Sequence, residues 1–544
     1  MRKVLIVLLL SSLLLRISAQ DFDVILGRPT NNSITLSVLF TQNVSLQIQY
    51  GTLSGKYDKS TPKYNVQANI PLEIDLTGLS VNTKYYYTLV YLPNNASSNK
   101  ISPEYYFQTQ RNKSEEFTFT VEADEHLYDK KGIRSMYKIT LNNEYLDKPD
   151  FMFSLGDIFG DDHYPLTITS QEVDALHKDY RQYLGAICHS IPFYVALGNH
   201  EGENDYYLSK NPPNNLAVWG TQWRKYYYPN PFPNSFYSGN TDDEPYGIGN
   251  PENYYAFTWG DALFVVIDAY RYQNPLSDKP QNWDWSLGLK QYNWLKSTLE
   301  TSTAKFKFVF AHHIRGQGRG GLTNAKLFEW GGYEADGKTW GFDKNRPGWA
   351  KPIHQLFKDN GVSIFFQGHD HLFAHEVLDG IHYQEVPMPS DSTYLIGKLA
   401  NADAYTSDTL EGTGHIRVKV NSSCVKVDFV RAYLPSDTLE GKHKNREVPF
   451  SYTIGSCTVT AIQNIGIDPP EEVYQVYPNP SKTSLKIIAK NNVPIEATLM
   501  NTAGAVVAKT TGTLLDVSNY LPGVYILQLK ISEKYFNKKI IISK

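Results

Sequence analysis

Six short apolar runs punctuate one stretch of the chain: FTFTVEA, DFMFSLG, PFYVALG, ALFVVIDA, FKFVFA and GVSIFFQG, the first starting at Phe117 and the last ending at Gly368. These read as apolar strands, each followed by polar residues. Between them, IRSMYKITLNNEYL and LKQYNWLKSTLE space their apolar residues as helices do. Strands alternating with helices predict an α/β layer architecture over residues 115–435. In such sheets ligands gather at the carboxyl ends of the strands, so the residues just past each run are where chemistry is to be sought.

Five of the six endings carry a side chain that can ligate a metal. They are Asp124 and His126 in EADEHLYD, Asp157 in GDIFGD, Asn199 and His200 in GNHE, His312 and His313 in AHH, and His369 and His371 in GHDH. Taken singly, each reads more simply as a solvated loop. Their recurrence at one topological position is what makes independent loops a poor account. Imidazole, carboxylate and amide oxygen suit borderline or hard divalent ions such as Zn, Mn or Fe. On an extended segment His369 and His371, two residues apart, would project from the same side. Asp157, with two carboxylate oxygens, can bridge two ions, and a pair of ions about 3.5–4 Å apart is the clamp used in phosphoester hydrolysis. Glu125 acquires no role from this pattern, Asp268 ends its strand as a structural residue, and Asp161 to His163 read as solvent-facing loop.

The flanks differ. From Gln20 to about Gln110, short alternating segments such as SITLSVLF and SLQIQY predict an all-β sandwich. Within it LTGLSVNTKYYYTLVY, with a turn before Tyr85, resembles the tyrosine-corner region of fibronectin type III-like domains. Residues 1–19 combine a basic start, an apolar run and a small-residue end, and are expected to be a secretory signal peptide cleaved between Ala19 and Gln20. No later stretch is long enough to cross a bilayer, so no transmembrane anchor is expected. Residues 436–471 are expected to form a linker, and 472–544 a small β-sandwich. Cys424 and Cys457 could pair in an oxidising compartment, but three unpaired, small hydrophobic cysteines are the expectation. A net charge of −4 argues against a protein that tracks nucleic-acid backbone.

In order, D-x-H, G-D, G-N-H-E, H and G-H-x-H resemble the calcineurin-like metallophosphoesterase superfamily over about three hundred residues. The resemblance implies two mixed β-sheets flanked by helices, with two divalent metal ions between the strand ends. It assigns Asp124, His126, Asp157 and His371 to one metal, and Asp157, Asn199, His312 and His369 to the other. His200 would face the substrate as the catalytic acid. The implied reaction is hydrolysis of a phosphate ester by a metal-bound hydroxide. His313 would be a substrate or supporting contact, and Arg315 and Arg319 in IRGQGRGG, where many relatives have a proline, are candidate phosphate contacts. The layout with an N-terminal fibronectin-like domain also resembles purple acid phosphatases. This chain departs from them in having His126 where they have glycine and Gly160 where they have a tyrosine ligand, so ferric iron and its colour are not carried over.

The segment 472–544, through YPNPS and LPGVYILQL, resembles the type A sorting domain of the type IX secretion system. That implies handling by the secretion machinery and a secreted or cell-surface destination. The whole is therefore expected to be a secreted phosphatase acting on phosphorylated small molecules as monoesters. The alternatives are a phosphodiesterase acting on cyclic nucleotides or phospholipid headgroups, and a non-catalytic surface binding protein.

Overall fold

The computed structural model describes residues 21–127, 132–158, 167–204, 208–273, 281–314, 319–396, 404–405, 407–439, 441, 443–457, 474–489, 495–501, 506–531 and 534–543. The expected signal peptide, Gly160, the run Asp161 to His163 and Arg315 lie outside these. The chain forms two compact units, Met1–Cys457 and Thr458–Lys544.

The centre of the first unit is a pair of facing sheets. The first sheet orders its strands Phe193–Val195, Phe151–Ser154, Phe117–Glu122, Thr413–Val420, Cys424–Ala432 and Phe450–Gly455. The second runs Ser238–Gly239, Tyr255–Trp259, Ala262–Val266, Phe306–Phe310, Ile364–Gln367, Ile381–Glu385, Phe373–Leu378 and Asp408–Leu410. In each, the strands read from the apolar runs pair in parallel; later strands close the first sheet antiparallel, while in the second Ile381–Glu385 also joins in parallel and Phe373–Leu378 and Tyr255–Trp259 run antiparallel to their neighbours. The inner faces meet through phenylalanines. Phe153 stacks on Phe310 at 4.2 Å, Phe310 on Phe366 at 4.9 Å, and Phe119 meets Phe264 edge-on at 5.1 Å. Aromatic pairs at these separations add to the area they bury, which is how a layer built of Phe stays ordered.

Helices cover the outer faces, as the sequence predicts. Arg134–Asp147 and Ser170–Leu184 pack toward the first sheet, the latter begun by a capping box between Thr169 and Glu172. Gly288–Thr301 and Ile353–Asp359 bury Leu295, Leu299, Leu356 and Phe357 against the second. Among the described residues no helix is long and apolar enough to cross a membrane.

The N-terminal region is a sandwich of Phe22–Gly27, Ser33–Phe40 and Leu72–Thr77 facing a sheet built on Val44–Gly51 and Lys84–Pro93. Its all-β arrangement fits a fibronectin type III-like fold. Tyr85 is buried there and its hydroxyl accepts the Ser80 N–H at 2.9 Å, the corner bond that ties a strand start to the preceding turn. The sandwich is fastened to the α/β region: the Tyr87 hydroxyl donates to the His189 carbonyl at 2.6 Å, and buried Arg181 reaches Asp23 and Ser37.

Two expectations are corrected. The segment 436–471, expected as linker, contributes the strand Phe450–Gly455 to the first sheet, because its alternating side chains find partners along Cys424–Ala432. Cys424 and Cys457, expected to stay unpaired, form a disulfide with Cα atoms 4.9 Å apart, leaving only Cys188 as a free, buried thiol. The ladder places Gly455 opposite Cys424, so Cys457 follows within reach. Closing a 33-residue span, the bond constrains the unfolded chain by about 3–4 kcal/mol in the chain-entropy account. Cys457→Ser is therefore expected to lower stability by about 3–4 kcal/mol in urea titration of oxidised protein. A variant as stable as the parent would refute this.

The second unit is a small β-sandwich. Tyr474–Tyr477, Ser484–Ala489 and Leu514–Asp516 form one sheet, and Val506–Thr510, Ile495–Asn501, Gly523–Ile531 and Lys534–Ile542 form the other. Leu485, Ile487, Leu499, Leu527 and Ile540 fill its core.

Candidate metal centre

The parallel strands of both sheets deliver their carboxyl ends to one place. Asp124 and His126 follow Phe117–Glu122, Asp157 follows Phe151–Ser154, and Asn199 and His200 follow Phe193–Val195. From the opposite sheet, His312 follows Phe306–Phe310, and His369 and His371 follow Ile364–Gln367. Three groups of side chains there could hold a metal ion: Asp124 with His126 and His371, His126 with Asp157 and His200, and Asp157 with His312 and His369. Asp157 belongs to two of them. Its Oδ2 lies 3.0 Å from His312 Nε2, 3.8 Å from His126 Nε2 and 3.9 Å from His200 Nε2.

The donors fit cations better than they fit one another. His126 Nε2 faces His371 Nε2 at 3.0 Å, and His312 Nε2 faces His369 Nδ1 at 3.2 Å. Asp124 Oδ1 is buried without a hydrogen-bond partner, 3.3 Å from His371 Nε2. A buried, unsatisfied carboxylate oxygen amid converging imidazole nitrogens is the donor arrangement a divalent ion completes.

The electrostatics agree. Burial disfavours ionised Asp157, but His312 and His200 outweigh it and hold the carboxyl well below its usual range. Burial likewise opposes ionised Asp124, which His371 and His312 pull below its usual range. Burial works against a proton on His312, yet Asp157 and Asp124 push that imidazole up to about 9. Burial, then the neighbouring His313 and His312, drive His369 well down. The positive charge that keeps the two carboxylates ionised is that of the imidazoles, a place a bound cation would take over as they lose their protons to ligate it.

Backbone conformation aims the ligands. Asp124, His126, Asp157, His369 and His371 all have left-handed φ, between 43° and 77°. Non-glycine residues rarely adopt this region, and clusters of such residues mark functional sites. The left-handed turns also correct the extended reading of GHDH: His369 joins the His312 group and His371 the Asp124 group, instead of both projecting from one side. The glycines of the motifs leave room. A Cβ on Gly198 would lie 2.3 Å from Asp157 Oδ1, and one on Gly368 would lie 2.5 Å from Asp124 Oδ2.

Neighbouring residues take supporting places. Glu201 accepts N–H groups from Gly198 at 2.5 Å, Ile158 at 2.9 Å and Asp157 at 3.0 Å, so it fixes the loop carrying Asp157. The His200 amide donates to Asp157 Oδ1 at 2.8 Å, and its side chain keeps 12% exposure where that of His312 keeps none. Asn199 is buried beside it. His313 is fully buried with its ring 5.0 Å from that of His369. Arg319, expected at a phosphate, donates to the His369 carbonyl and to Asp370 Oδ1. Glu125 turns inward and accepts from the Ser154 hydroxyl at 2.7 Å, and Asp268 accepts backbone N–H bonds from Tyr270 and Arg271. Asp370 and Tyr405 were not singled out by the motifs; only the placement of Asp370 between two candidate ligands could have pointed to it.

Residues 117–373 match the family model described as calcineurin-like phosphoesterase, and residues 475–543 match that of a secretion system C-terminal sorting domain. Among solved structures the chain is similar to PhoD at 18% identity, covering 80% of this chain and 90% of that one with a TM-score of 0.56. It is also similar to the purple acid phosphatase PPD1 from yellow lupin (Lupinus luteus) seeds, at 14% identity over 79% of this chain and 74% of that one, with a TM-score of 0.53. At these identities the likeness is one of fold. No curated protein matches the chain in sequence. With Asp and His side chains converging at the ends of its parallel strands, the chain carries a calcineurin-like phosphoesterase domain, the fold of a phosphoester hydrolase, followed by a C-terminal sorting domain.

Proposed function

We propose that the protein is a secreted phosphatase that hydrolyses phosphomonoesters of small molecules with two divalent ions, Zn, Mn or Fe. The observation that carries this reading is the membership of Asp157 in two of the three potential metal groups, the position of a bridging carboxylate. Asp124, His126, Asp157 and His371 would hold one ion, and Asp157, Asn199, His312 and His369 the other. Bound there, such ions supply Lewis acidity toward the phosphate and lower the pKa of water. His200, the more exposed imidazole at the rim, is suited to hand a proton to the departing oxygen. Glu201 keeps the Asp157 loop from relaxing as charge shifts during the reaction. The phosphatase among the structural neighbours supports the monoester choice, and the sorting domain supports export.

Metal analysis combined with paired aryl phosphate monoester and diester substrates tests the reading. Monoester turnover is expected to exceed diester turnover, and His200→Ala to retain both metals while kcat/KM falls by about 10²–10³-fold. Diester turnover far above monoester would overturn the substrate choice. Full activity of His200→Ala would remove that residue from the chemistry.

A further inference from the structure

Between the ligands His369 and His371 sits Asp370, wholly buried. Its Oδ2 accepts the Gly320 N–H at 2.7 Å and lies 2.8 Å from the Tyr405 hydroxyl, and its Oδ1 accepts from Arg319 at 3.1 Å. Its own amide donates to Glu385 Oε1 at 3.0 Å. Tyr405 closes the ring: its hydroxyl is also 2.8 Å from Glu385 Oε2 and accepts from the Gln367 amide at 3.2 Å. Arg319 additionally holds the His369 carbonyl. Two segments remote in sequence therefore converge on the Asp370 side chain, and a third, through Glu385, holds its amide. Their packing is close, since a Cβ on Gly320 would lie 2.7 Å from the Ala404 carbonyl.

His369 and His371 both adopt left-handed backbone, at φ 77° and 59°. Such residues are strained and persist only where surroundings over-determine them. The bonds around Asp370, with that of the His369 amide to Asp124 Oδ2 at 2.7 Å, are those surroundings. Because one histidine serves each candidate metal position, a shift of Asp370 displaces a ligand of both positions together. Glu385 and Tyr405 lie beyond residue 373, where the phosphoesterase match ends.

We propose that Asp370 is a positioning residue, clasped by Tyr405, Glu385 and Arg319, that sets the spacing of His369 and His371 and thereby couples retention of the two metals. The inference rests on the two-metal reading above. Polar groups that orient metal ligands typically contribute about 10–100-fold to metal affinity.

The test is calorimetric titration of metal-free, full-length protein with Mn²⁺ and Zn²⁺, alongside thermal unfolding of the same metal-free samples. Tyr405→Phe is expected to weaken binding at both positions by about 10–100-fold while the metal-free unfolding midpoint holds. Arg319→Ala, at a side chain 45% exposed, provides the same readout without disturbing a buried residue, and is expected to shift affinity in the same direction. Wild-type affinity in both variants overturns the proposal. So does a loss confined to one metal position, or one that appears only in Tyr405→Phe together with a collapsed midpoint. A wild-type protein that takes up no metal would instead bring down the two-metal reading itself, and the clasp with it.

Discussion

Asp157→Ala is expected to abolish hydrolysis and to lose bound metal, the largest single effect at the site. The carboxylate faces His312, His126 and His200 within 3.9 Å, so in the proposed two-metal assignment its removal would take a ligand from both positions at once. Ions in such sites supply several kcal/mol of transition-state stabilisation, and a drop in kcat/KM of about 10³-fold or more follows. Metal content by mass spectrometry should fall from about two ions per chain to one or none, the two-ion count being that of a dinuclear clamp. A fully active variant lacking metal would refute the assignment.

Asp147→Ala is expected to have the largest effect on stability. Asp147 ends the helix Arg134–Asp147 and is buried against His415 Nε2 at 2.8 Å, Arg417 Nη1 at 2.8 Å and Arg446 Nη2 at 2.6 Å. Burial opposes its charge, but His415 and Arg417 outweigh burial and hold the carboxyl far below its usual range. Truncation removes three hydrogen bonds to a charged carboxylate at once and leaves Arg417 with Asp428 as its remaining partner, a change that costs about 3–5 kcal/mol. A carboxyl depressed in the folded state contributes stability that is present above its unfolded pKa, about 3.9, and lost as pH falls toward the folded value. Urea titrations should show the full difference between parent and variant at pH 7, and a shrinking one below about pH 4. A difference that does not vary with pH would sink the electrostatic account.

Much of this arrangement was legible before any coordinates. The apolar runs alternating with helical segments read as an α/β layer, and they form the parallel strands of two facing sheets. The polar residues after them could be located because strand ends are where such sheets bind ligands. Less was legible wherever contacts join distant positions. The Cys424–Cys457 bond depends on the register of an edge strand hidden in apparent linker. The resemblance separates His369 from His371, but the left-handed turns that send them apart are not encoded in their spacing. Arg319 looked like a phosphate ligand by charge, and only its proximity to Asp370 and the His369 carbonyl shows how it is engaged.

The sequence by itself determined the layer architecture, the place of the site and the chemical type of its donors, because hydrophobic periodicity and residue chemistry are local properties that survive without geometry. The packed chain added how those donors are held, with Glu201 bonded to the loop of Asp157 and Glu125 turned to Ser154, and which cysteines pair. Those outcomes follow from distances between segments tens of residues apart, which only the packing of the chain brings within reach of a bond.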